Sequence, residues 1–322
     1  VRTLPRSQIN VKISWRFLFF IQFNYALFVN MISNLIVLAQ VKERELFFAD
    51  YVVMFLLLAP LVVLFLFFAF YVIEIIYLRN FKKPLFVFTN LIFHKLNEQQ
   101  KAVLATNFHF YNELKPKYKR YFEHRVYKFM INYEFVGTDF LVTEKMKITI
   151  GATYTMLTFG MRHYLNPMFK KILLFPDIYY SEQTQNYHKG EFNPRLEAIV
   201  FSWKHFEEGI EVANDNLNLG LHEFTHAFHI HSLKSEETTA VLFNESLQNL
   251  FRIVSHPQIK EQLVASGFLR DYAYENKFEF VAVLLEYFFE SPQEFKSQFP
   301  SIYLKVKQMI NYNEKYFTTT IN

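Results

Sequence analysis

Residues 222–226 read His222-Glu223-Phe224-Thr225-His226, two imidazoles four positions apart with a carboxylate beside the first. On a helix, positions i and i+4 lie on one face, one turn apart. Both rings can therefore reach a single zinc ion through one nitrogen each. Glu223 falls at the edge of that face, where its carboxylate can act as general base toward a water activated by Zn2+. The residues around the motif, Leu217, Leu219, Leu221, Phe224 and Phe228, are apolar. That pattern sets the polar side chains against an interior, where they need partners, and a metal ion is one.

A catalytic zinc takes a third protein ligand and keeps a fourth position open. The segment DYAYENKFEFVAVLLEYFFE, residues 271–290, places Glu279 and Glu286 seven positions apart on one face of an otherwise apolar helix. A carboxylate among Phe278, Phe280, Val281 and Val283 is costly to bury unless it is paired or metal-bound. The spacing supports one glutamate as ligand and the other as its supporting partner, without deciding which. The chain contains no cysteine, so disulfides, thiolate metal sites and cysteine nucleophiles are excluded.

These residues need elements to hold them. From Pro84 onward the chain reads as α+β. A helix is expected over 214–231, with Asn214 or Asp215 as its N-cap. KKILLFP (170–176) and EAIVFSW (197–203) are short apolar runs bounded by turn residues and read as strands. Residues 97–128 predict two helices broken at Pro116. The stretch EKMKITIGATYTMLTFGM predicts a buried helix, although its Ile and Thr are also compatible with strand. Further helices are expected near 239–253, 257–266, 277–290 and 300–312.

The front of the chain is different. Phe17–Val41 and Tyr51–Ile73 carry no Asp, Glu, Lys or Arg, and each can cross a hydrocarbon core of ~30 Å at ~1.5 Å per residue. The second run is almost purely apolar, and Pro60 within it is tolerable in a membrane helix. The first carries Gln22, Asn24, Asn30 and Asn34. It reads either as a span whose amides bond to the second helix or as an interfacial or uncleaved signal-like segment. Residues 1–83 are thus expected as a membrane anchor, with two transmembrane helices at about 17–41 and 51–75, ahead of a peptidase domain over 84–322. Arg2, Arg6, Lys12 and Arg16 precede the first run, and Arg79, Lys82 and Lys83 follow the second. Lys42 and Arg44 in the connection are offset by Glu43, Glu45 and Asp50. The positive-inside bias predicts a hairpin in the inner membrane with the domain in the cytoplasm. The net charge of +4 is scattered along the chain, which argues against nucleic acid as a partner and for the lipid bilayer.

The two blocks at 214–230 and 272–303, the latter reading YAYENKFEFVAVLLEYFFESPQEFKSQFPSIY, resemble the Mlc titration factor A family of zinc peptidases. The resemblance spans roughly residues 90–312. It implies a zincin-like α+β fold, a bound Zn2+, and peptide or protein substrates. It also implies Glu279 as third ligand, and Glu286 as a supporting residue rather than a ligand. Tyr272 maps onto a tyrosine near the zinc that can stabilise the oxyanion, whereas neighbouring Tyr274 has no family match. Where the family prototype has Asp, this chain has His229, which can hydrogen-bond within the site. His188 is the candidate for an upstream histidine that occupies the zinc in a latent state, and otherwise reads as a solvated loop residue. The family fold further implies a substrate lying along an edge strand, for which EAIVFSW is the candidate. The prototype is soluble, so its binding to the Mlc repressor is not carried over, and a regulatory partner stays unidentified. The expected function is membrane-anchored, zinc-dependent peptide hydrolysis. The alternative is a zinc-containing, membrane-tethered module that sequesters a regulatory protein.

Overall fold

A computed structural model describes residues 48–318, except 91, 183–184 and 213, together with positions 26, 29, 30 and 33. The expected span over 17–41 lies outside the described residues apart from those isolated positions. The chain divides into two compact units between Phe81 and Lys82.

In the first unit, α1 (Phe48–Phe81) contains the uncharged run and continues past it to Phe81. Tyr51–Phe81 has a peak mean hydropathy of 3.0 with none of that window buried, and it is long and apolar enough to cross a membrane. A helix satisfies its own backbone, which is what a chain in hydrocarbon requires.

The second unit begins with an irregular strap, residues 82–97. Asn97 closes it by a reciprocal cap with Gln100 and starts α2 (Glu98–Asn107). A single turn, α3 (His109–Glu113), leads to α4 (Pro116–Asn132), which opens on the expected proline. Then come β1 (Glu134–Gly137) and α5 (Glu144–Thr158). Strand β2 (Lys171–Phe175) precedes a small hairpin, β3 (Tyr179–Ser181) and β4 (Asn186–His188), which feeds β5 (Gly190–Asn193) and β6 (Ala198–Ser202). Helices α6 (Trp203–Glu211), α7 (Leu219–Lys234), α8 (Thr238–Val254) and α9 (Pro257–Ala265) follow. A short 3-10 turn (Asp271–Tyr274) then leads to α10 (Lys277–Glu290), α11 (Pro292–Gln298) and α12 (Pro300–Met309).

The main sheet has the order β1-β2-β6-β5. The first three strands are parallel and β5 is antiparallel to β6. This corrects the edge-strand expectation. Residues 198–202 form an interior strand, buried at every position, as a continuous apolar run requires when both faces are covered. The edge beside α7 is instead β5, whose sequence GEFN carries too little apolar character to signal a strand.

Helix α5 separates two cores. Ile150, Tyr154 and Leu157 face the sheet and α7, while Ile148 and Ala152, with Phe159 just past the helix end, face α2 and α4. Its buried Thr149, Thr153 and Thr158 donate their hydroxyls to the carbonyls of Lys145, Thr149 and Tyr154, four residues back. That local bonding lets β-branched polar residues sit in a buried helix. Arg125 of α4 is also fully buried. Its guanidinium donates to four carbonyls, those of Thr158 and Phe159 at the end of α5, of Met161, and of Val87 in the strap. The ring of Phe88 lies 4.9 Å away.

Candidate active site

Helix α7 carries the motif, and Asn218 starts it by accepting the Leu221 N–H on its side chain. The expected caps lie in the preceding loop, where Asn214 and Asn216 adopt φ of 72° and 58°, a conformation outside the helix that asparagine tolerates. Leu221, Phe224, Ala227 and Phe228 turn into the core. That packing fixes the rotation of the helix and leaves His222 and His226 on the side facing α10. The Asn276 side chain accepts the N–H groups of Phe278 and Glu279. Glu279 is thereby held in the first turn of α10.

His222, His226 and Glu279 converge, with one ligand atom from each lying within 4.8 Å of the others. His222 Nε2 is 2.9 Å from Glu279 Oε2, and His226 Nε2 is 3.5 Å from Oε1. Yet buried Oε2 lacks a hydrogen-bond donor. The nitrogen and oxygen approach each other without the geometry of a bond between them, as two ligands aimed at a shared third atom do. Two imidazoles and a carboxylate are a donor set that suits a divalent metal ion.

Glu286 stands behind His222, with its Oε1 2.7 Å from Nδ1. This pairing assigns the ring proton to Nδ1 and frees the Nε2 lone pair for a metal. Glu286 is 1% exposed, and its charge is met by Arg270 at 2.7 and 3.1 Å and by the Asn218 N–H at 3.0 Å. Arg270 also donates to the Asn216 carbonyl, tying the loop before α7 to α10. Burial disfavours a charge on His222, but Glu279 and Glu286 against its two nitrogens prevail and raise it to about 10. Burial pushes Glu279 the other way too, and the two histidines still hold it well below the usual carboxylate range. Carboxylates against both nitrogens of His222 place negative charge where the three residues meet, which favours a cation there.

Glu223 faces β5. Burial raises its pKa, and the charges of His226 and His222 oppose that rise. A Cβ at position 190 would stand 2.9 Å from Glu223 Cγ and Oε1 and 2.7 Å from Leu219 Cδ1, so Gly190 is what admits the carboxylate. The Tyr272 ring lies 5.9 Å from that of His222. Burial, together with the nearby Glu279 carboxylate, raises its pKa. Tyr274 points elsewhere, donating to the Leu263 carbonyl at 3.1 Å.

The two remaining candidates stand outside the converging trio. His229 is buried against Phe278, ring to ring at 4.3 Å, with Nδ1 unbonded. Burial lowers its pKa to about 4, so at neutral pH it is an uncharged packing residue. His188, at the end of β4, lies opposite Tyr179 on the wall of a cleft of about 350 Å³. That cleft runs from His222, Glu223 and Tyr272 past Gly190 toward Leu217. Sequence reasoning missed Asn218, Gly190 and Arg270. Asn218 lies just before the motif in sequence, whereas Gly190 lies far upstream on another element and Arg270 is sixteen residues from Glu286, and no local pattern marks either of these.

A helix-borne HExxH motif with a carboxylate brought to it from a second helix defines a metallopeptidase. The chain belongs to the glucose-regulated metallo-peptidase family M90, which matches residues 89–311. This is the family that the two sequence blocks resemble. An uncharacterized protein of Synechocystis sp., slr2042, is 25% identical over 221 residues, covering 63% of this chain and 80% of its own length.

Proposed function

We propose that the chain is a membrane-anchored zinc peptidase whose catalytic domain faces the cytoplasm. In this reading His222, His226 and Glu279 hold Zn2+, Glu223 is the general base and Tyr272 assists the oxyanion. The observation that carries it is the buried Glu279 Oε2, which lacks a donor while two imidazole nitrogens converge on its carboxylate. Zinc, when bound, supplies Lewis acidity and lowers the pKa of water toward neutrality. Glu223, made more basic by burial, accepts the proton of the attacking water and returns it to the leaving amine. Tyr272, whose raised pKa keeps it protonated, donates its hydroxyl to the carbonyl oxygen as charge develops there. Glu286 and Arg270 keep the His222 ring in one tautomer and orientation.

The substrate backbone fits along β5. The Ser202 N–H donates to the Lys189 carbonyl. By antiparallel alternation, residues 189, 191 and 193 bond to β6, while Gly190 and Phe192 turn their peptide groups to the open edge. An extended peptide added there would pass directly over Glu223.

The test compares the full chain, purified in nanodiscs, with Glu223→Gln. Both should bind one zinc, measured by atomic absorption, and only the native chain should cleave a mixed fluorogenic peptide set. If both hold zinc and neither cleaves, the sequestering module replaces the peptidase.

A further inference from the structure

The strap that opens the peptidase unit has a surface that the catalytic reading leaves unused. The chain carries no acidic residue between Glu74 and Glu98. The strap is fixed to its domain from the first residue. Lys82 Nζ lies 2.6 Å from Glu245 Oε1, Pro84 is buried, and Arg162 donates to the Phe86 carbonyl at 2.7 Å. Phe88 stacks on Tyr121 of α4, and Phe93 meets the same ring edge-on. Even so, Ile92 is 76% exposed and Phe86 51% exposed. Lys83, His94 and Lys95 of the strap are exposed, as are Lys117 and Arg120 of α4. The Arg120 guanidinium sits 4.9 Å over the Phe93 ring. The lone acid of α4, Glu123, is buried and bonded by the Tyr111 hydroxyl. Exposed apolar side chains rimmed by cations, without an exposed carboxylate in the strap or α4, match the chemistry of an anionic lipid surface.

Chain continuity points to the same occupant. An extended chain covers at most about 3.5 Å per residue, so Phe86 is within roughly 18 Å of the end of α1 and Ile92 within roughly 39 Å. We propose that the strap and the adjoining exposed stripe of α4 seat the peptidase domain on anionic headgroups, with Ile92 and Phe86 entering the interface. The proposal rests on α1 as a membrane span and is independent of the catalytic assignments.

The cysteine-free chain allows single labels. Ile92→Cys and Val63→Cys, the latter within α1, would carry an environment-sensitive fluorophore on the full chain in nanodiscs. Pure phosphatidylcholine is compared with phosphatidylcholine containing phosphatidylglycerol, using lipid-borne nitroxide and aqueous iodide as quenchers. The expected result is nitroxide quenching at residue 92 roughly threefold stronger in anionic discs. Lys117→Gln combined with Arg120→Gln, two exposed changes, should remove the difference. A residue 92 label equally open to iodide in both discs, with the residue 63 label in lipid, overturns the seating alone. A residue 63 label open to iodide overturns the span and the seating with it.

Discussion

Helices α1 and α10 are both built mainly from Phe, Leu and Val, yet they meet opposite surroundings. The uncharged run of α1 leaves its large side chains exposed, from Phe55 at 69% to Phe67 at 68%. Residues 280–288 of α10 are buried throughout. The difference lies in two carboxylates. Glu279 and Glu286 tolerate an apolar helix because each faces a made partner, the converging histidines for one and Arg270, Asn218 and His222 for the other. Apolar composition says that a helix must leave water. Its charged residues, and what meets them, say whether it enters a protein core or lipid.

Removing the partnered charge tests this most severely. Glu279→Ala should lower zinc affinity by more than about 100-fold, beyond the usual loss from a supporting residue. Zinc-buffered titration would measure it, and retention of zinc at native affinity would refute the assigned ligand set. The reciprocal change gives α1 an unpartnered charge. Leu66→Asp should cost about 2.5–3.5 kcal/mol of insertion free energy and lower the fraction resisting alkaline extraction, whereas an unchanged fraction would mean that α1 does not sit in lipid. A smaller effect is expected for Glu286→Gln, which keeps the shape beside His222 but loses the charge. Zinc affinity should fall about 10–100-fold with the fold retained by circular dichroism.

The smallest effect concerns the end of α10. Burial raises Glu290 from 4.5 to about 7, with Asp215 and Glu286 adding to the shift and Asn218 opposing it. The folded state therefore keeps a proton that the unfolded state loses, so stability falls as pH rises between those values. The Tm should drop by roughly 3 °C between pH 5 and pH 8, and Glu290→Gln should flatten that slope. A slope identical in the variant would assign the dependence to another group.

What was legible in the sequence follows the range of the interactions involved. The HExxH pair declared itself because its geometry is set by one turn of helix. Glu279 and Glu286 were conspicuous as carboxylates in an apolar helix, but their division of labour depends on Asn276, which places Glu279 in the first turn, and on Arg270, which claims Glu286. Neither dependence has a period to detect. Strand β6 was recognised as a strand and placed wrongly at an edge, although its uninterrupted apolar run was itself the mark of an interior position. Its neighbour β5 is a strand only because β6 pairs with it, and Gly190 and Glu191 at its start suggest a turn. The N-cap was misplaced because three asparagines alternate at 214, 216 and 218, and backbone conformation alone separates them.

The strap also decides where the peptidase can be cut free. The family match begins at Thr89, but Arg125 draws a carbonyl from Val87 and packs on Phe88. A soluble fragment starting at the match would leave this buried cation short of an acceptor and a ring, and would discard the Lys82 tie to Glu245. A fragment that keeps all of these contacts starts at or before Lys82. A cut within the strap would therefore release a domain that has lost some of these contacts, whereas a cut inside α1 would leave all of them in place.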